Sequence, residues 1–188
     1  MISLISLWAP VLLSAVVVFI ISSLIHTVLQ YHNTDMHKLP GEEKVADALR
    51  GLDAPDGVYV LPHAGSMAEM RSPEFKEKFE KGPLAIITLA KRGGSMSMTP
   101  HMLKWFAYCL VVSVFAAYIA SRAVAPGAPY LTVFRFAGAT AFFCYGVGSW
   151  QESIWMRRPW STTVKNTIDA LVYGLFTAGV FGWLWPQG

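Results

Sequence analysis

Residues 2–29, Ile2–Leu29, read ISLISLWAPVLLSAVVVFIISSLIHTVL, with no Asp, Glu, Lys or Arg among them. A helix rises about 1.5 Å per residue, so about 20 consecutive apolar residues cross the hydrocarbon core of a bilayer. This stretch is long enough with residues to spare. A cleavable leader would carry a basic start and a small-residue cleavage site. Neither pattern is present, and the stretch is expected to be a retained transmembrane helix.

Three more segments of the same kind follow, at about 102–121, 130–150 and 168–185. The whole chain agrees with them: 54% of its 188 residues are hydrophobic, 14% are charged, and the mean hydropathy is +0.42. That composition belongs to the membrane class. The expected fold is a membrane all-α bundle of four transmembrane helices, with a small α/β insert between helices 1 and 2. The expected division is 1–30 for the first helix, 31–98 for the insert and 99–188 for the other three. The net charge of +3 is small, and the basic residues neither cluster nor alternate with aromatics as a nucleic-acid groove requires. Nucleic acid is excluded as a partner; the bilayer is the expected one. Cys109 and Cys144 lie in apolar segments, which excludes a disulfide framework or C-x-x-C centre. Comparable depth on adjacent helices would let them touch as small apolar residues.

Positive charge is retained on the cytoplasmic side during insertion. Residues 31–98 and the loop holding Arg157, Arg158 and Lys165 share one side, whereas the other side has a bare N-terminus, a loop with Arg122 and the uncharged tail Pro186-Gln187-Gly188. Both termini are therefore expected outside and residues 31–98 inside. Trp8, Tyr130, Trp183 and Trp185 would mark the outer interface. Tyr31, Trp105, Trp150, Trp155 and Trp160 would mark the inner one.

Helix 4 spaces Ala170, Gly174, Ala178 and Gly182 four apart, and helix 2 carries Ser113, Ala117 and Ser121 likewise. Small residues at that spacing let helices approach closely. The partner is either another helix of this bundle or a second protein, including another copy of the chain.

The insert reads as two short helices and two strands. One helix opens at Pro40-Gly41-Glu42-Glu43 and stops at Gly51; a second has Ser72 as cap, Pro73 at its first position and Gly82 as its stop. The strands are Gly57–Leu61 and residues 84–90. So little chain buries too little apolar surface to be comfortable alone, so the insert is expected to rest on the bundle, on lipid headgroups or on a partner.

Where helix 1 ends, His26, His32, Asp35 and His37 occur within twelve residues, and His101 and Lys104 begin helix 2 at similar depth. His26, His32, Asp35, His101 and Met98 are the candidate metal ligands. The spacing lacks the two-histidine face of H-E-x-x-H, and the alternative is a set of hydrated histidines at headgroup level. His32 and Asp35, three apart, could meet and orient the imidazole. Met96-Ser97-Met98-Thr99-Pro100-His101-Met102 offers soft ligands for Cu(I), or simply a helix start with Thr99 as cap and Pro100 first. Arg135 and Asp169 are intramembrane charges. Arg135 either snorkels over an aromatic ring or meets an anion; Asp169 begins helix 4 beside Arg157, Arg158 and Glu152, stabilised by the helix dipole.

The segments His32-x-x-Asp35-x-x-Lys38-Leu39-Pro40, Phe75-Lys76-Glu77-Lys78-Phe79-Glu80-Lys81-Gly82-Pro83, Arg158-Pro159-Trp160-Ser161 and Phe181-Gly182-Trp183-Leu184-Trp185-Pro186 resemble a family of small four-helix bacterial inner-membrane proteins of uncharacterised activity. The resemblance implies a bacterial inner-membrane setting and brings no activity, cofactor or catalytic residue. No Ser-His-Asp set, catalytic carboxylate pair, phosphate loop or dinucleotide fingerprint stands out. The expected function is a non-enzymatic accessory, assembly or interaction subunit with no cofactor. The alternatives are a metal- or haem-handling membrane protein using interfacial His and Met, and a small transporter.

Overall fold

The computed structural model describes residues 2–90 and 97–187 and divides them into two units. The helical unit takes in the chain up to His37 and from Ser97 onward; the insert unit begins at Lys38. The boundary thus falls after His37, leaving residues 31–37 with the helices.

In the helical unit the first span, Ile5–Leu29, comprises a 3-10 turn, α1 (Trp8–Leu24) and a π-turn (Ile25–Leu29). Gln30, at φ 51°, stops the helix, and a 3-10 turn, Tyr31–Thr34, follows. The insert unit holds α2 (Glu42–Arg50), β1 (Gly57–Leu61), α3 (Met67–Met70), α4 (Pro73–Lys81) and β2 (Ala85–Leu89). The helical unit resumes with α5 (Thr99–Ala123), α6 (Tyr130–Phe142), a second π-turn (Phe143–Val147), α7 (Gly148–Trp155) and α8 (Trp160–Trp183). Three spans are long and apolar enough to cross a membrane: Ile5–Leu29, Thr99–Ala123 and Tyr130–Trp155. α8 has the length, but its first ten residues include Ser161, Thr162, Thr163, Lys165, Asn166, Thr167 and Asp169.

α8 packs most closely on α6 and also lies along α1, while α5 packs on α1 and α6. The small residues explain how. A Cβ built on Gly138 of α6 would stand 2.7 Å from the Ala178 Cβ, and one on Gly146 would stand 2.7 Å from the Ala170 Cβ. One on Gly182 would strike the Tyr130 ring at 2.6 Å. The stripe Ala170, Gly174, Ala178, Gly182 is therefore an internal seam with α6, since Gly174 would meet the Gly138 carbonyl and Phe142. Ser113, Ala117 and Ser121 are likewise buried within the unit, and the Ser14 hydroxyl meets that of Ser113 at 3.0 Å. Such hydrogen bonds join helices where lipid supplies no hydrophobic force between them.

The aromatic markers divide. Trp8, Trp155 and Trp183 are more than two-thirds exposed, as interfacial rings should be. Trp185 instead is 3% exposed and donates to the Ala125 carbonyl at 2.9 Å, so it is a core residue. Trp105 turns inward, donates to the Ser22 hydroxyl at 2.7 Å, and gathers Tyr108, Tyr145 and Tyr173 around it. The buried Cys109 thiol joins that aromatic group, whereas Cys144 is exposed; both are free. At the second π-turn the Tyr108 hydroxyl donates to the Cys144 carbonyl at 2.6 Å, satisfying a backbone group at the irregularity.

In the insert, β1 and β2 pair antiparallel with Gly57 opposite Leu89 and Leu61 opposite Ala85. Ser72 caps α4 by accepting from the Phe75 amide at 3.1 Å, and Gly82 ends it at φ 62°, where a side chain would be strained. Not one described residue of this unit is buried.

Candidate functional site

The site forms where the first span ends and α8 begins its apolar half. In a regular helix His26 and His32 would lie on different faces, six positions apart. The π-turn widens the last turn of the span and Gln30 then reverses the backbone into its left-handed conformation. The 3-10 turn is thereby folded back, and the two imidazole centroids come within 4.6 Å.

Asp169 completes the group from α8. Its Oδ2 lies 2.8 Å from His32 Nε2, and its Oδ1 accepts from the Tyr31 hydroxyl. One ligand atom each from His26, His32 and Asp169 can be chosen so that all lie within 4.8 Å of one another. The opposite nitrogen of His32, Nδ1, meets Asp35 Oδ2 at 2.6 Å. Lys165, one turn before Asp169 on α8, binds the other Asp35 oxygen at 2.6 Å, Thr34 Oγ1 at 2.7 Å and the Tyr31 carbonyl at 2.8 Å.

Charge bookkeeping distinguishes the two carboxylates. Burial alone would raise the Asp35 pKa, but hydrogen bonds from Lys165 and His32 outweigh it and hold the carboxyl below its usual value. Asp35 is thus an anion matched by Lys165. Asp169 is 4% exposed and has no Lys or Arg partner among the described residues. A buried carboxylate without a countercharge is costly, so this one calls for a cation, supplied by a protonated His32 or by a metal ion. When His32 Nδ1 donates to Asp35, its Nε2 presents a lone pair toward Asp169. This is the carboxylate–histidine pairing that orients metal-bound imidazoles. An open cleft of about 580 Å³, lined by His26, His32, Asn33, Met36, Thr162 and Asn166 among others, leads to the group.

The sequence candidates thus separate. His26, His32 and Asp35 converge, while His101, exposed at the start of α5, and Met98, 66% exposed at its cap, do not line the cleft. Met96 lies outside the described residues. α5 begins at Thr99 with Met98 in the cap position, rather than with Thr99 as the cap. Asp169 moves furthest from expectation. α8 starts nine residues earlier, so Asp169 stands in the third turn beyond the reach of the helix dipole, and Arg158 bonds Glu152 instead. Lys165, read as a loop charge, is a helical residue of the site. Arg135 is exposed and has no cation–π contact among the described residues.

No protein-family model, curated protein or solved structure matches the chain.

Proposed function

We propose that the chain is a four-helix, multi-pass protein of the bacterial inner membrane that binds a divalent first-row transition metal at His26, His32 and Asp169. In this reading both termini are periplasmic, residues 31–98 are cytoplasmic, and α8 is the fourth span, with its polar first turns at the cytoplasmic interface. The exposed tryptophans and the charge asymmetry support that threading. The observation that carries the metal reading is the convergence of two imidazoles on a buried carboxylate lacking any other cation, with Asp35 orienting one of them. Two imidazoles and one carboxylate suit Zn²⁺ or Fe²⁺, and three protein ligands beside an open cleft leave positions for water or a further ligand.

The test is metal content by mass spectrometry of protein purified in mild detergent, with Co²⁺ titration as an optical probe. One equivalent per chain is expected, lost in His32→Ala and Asp169→Asn and kept in His101→Ala. Metal-free wild-type protein that gives no saturable Co²⁺ spectrum would sink the proposal.

The insert supports a second role, docking another protein, because none of its described residues is buried while Val58, Val60, Leu61, Met67 and Leu84 are substantially exposed. Mild-detergent purification should recover a stoichiometric partner that is lost when 38–96 is replaced by a Gly/Ser linker. A lone chain in every detergent argues against this role.

A further inference from the structure

Arg135 and the groove beside it have no part in the metal site, and they have a chemistry of their own. Arg135 is exposed in the second turn of α6, about 8 Å along the axis from Tyr130, where the third span starts. It makes no ion pair with any described residue. From it an open groove of about 350 Å³ runs between α6 and α8, walled by Phe134 and Phe142 and flanked by Leu171 and Leu175. Gly138 and Gly174, which let the two helices nearly touch, also line it, and the lining is almost wholly apolar apart from the arginine.

A guanidinium at that depth is stable only if it snorkels to the headgroups or meets an anion. The groove extends from the charge toward the middle of the span, the direction in which an acyl chain runs. A lone cation at the mouth of an apolar channel complements an amphiphile with a negative head. We propose that this groove is a binding site for an anionic glycerophospholipid, its phosphate on Arg135 and one acyl chain along Gly138, Phe142 and Leu171. Charge complementarity selects the lipid over a second copy of the chain, which would have to bring a carboxylate to the same depth.

The test is native mass spectrometry of protein reconstituted with equal phosphatidylglycerol and phosphatidylcholine. A charge-assisted hydrogen bond to phosphate predicts retention of phosphatidylglycerol over phosphatidylcholine by about tenfold. Arg135→Gln should abolish the preference and Arg135→Lys should retain most of it. Ala139→Phe, at an exposed position that fills the groove without entering the α6–α8 seam, should lower retention of both lipids. Equal retention by wild type, an undiminished preference in Arg135→Gln, or a dimer that Ala139→Phe dissociates would each overturn the assignment.

Discussion

Gly138→Ala adds one methyl group at the tightest part of the molecule. Its Cβ would lie 2.7 Å from that of Ala178 and 3.3 Å from the Gly174 carbonyl oxygen. Ordinary contact begins near 3.4 Å, so α6 and α8 would have to part by about 0.7 Å, and close-packed helices transmit such a shift along their length. The neighbouring approaches, Gly146 to Ala170 and Gly182 to Tyr130, would loosen with it. Overpacking of this kind costs about 1–3 kcal/mol. The double substitution Gly138→Ala with Ala178→Gly removes the worst clash and leaves only the carbonyl contact, so it should regain about 1 kcal/mol or more relative to the sum of the single changes. Unfolding by SDS titration in mixed micelles, followed by tryptophan fluorescence, supplies all four free energies of the cycle. If Gly138→Ala matches wild type within about 0.5 kcal/mol, or the double variant shows no favourable coupling, then the α6–α8 seam does not have the geometry described.

Three further outcomes are expected. Lys165→Met removes three hydrogen bonds and strands the 11%-exposed Asp35 carboxylate, at a cost of about 2–3 kcal/mol in the same titration; an unchanged midpoint would mean the anchor is dispensable. In the insert, Ser72→Ala should cost α4 about 1 kcal/mol, seen as lost helical ¹³C shifts at Phe75. The hydrogen bond from its own amide and the Ser72 hydroxyl hold Glu74 below the usual carboxylate pKa, so that contribution is present above the unfolded value and fades as pH drops through the lower folded one; α4 shifts that stay constant down to strong acid would contradict it. A cysteine at Ala54, with Cys109 and Cys144 replaced by serine, should react in intact cells only with a membrane-permeant reagent. Labelling by an impermeant one reverses the orientation.

The long helices were legible because apolar length is read directly from composition. The insert's strands and capped helices were legible because Gly, Pro and Ser punctuate them locally, although the single turn α3 carries too few residues to show a period. The seam residues on α8 were visible as a repeat of four, but not their partners. Gly138 and Gly146 belong to one face only because five residues between them wind as a π-turn, which breaks the period a sequence reading relies on. The site failed to show for the same reason. His26 and His32 meet through another π-turn and a left-handed Gln30, while the start of α8 was masked by polar residues that resemble a loop. Asp169 and Lys165 therefore seemed to lie near a helix end and outside it, when both face the histidines from within the helix.

The two π-turns act as phase shifters. Each inserts one residue into a continuous helix, so everything after it presents a different side to its neighbours than an unbroken α-helix would. Deleting one residue from Ile25–Leu29 would restore regular winding and swing His32 off Asp169, while deleting one from Phe143–Val147 would rotate Ser153 away from Thr163 on α8. The chain is thus more sensitive to the count of residues in these two turns than to their identity, and a relative lacking one residue in the first would keep both histidines and lose their meeting.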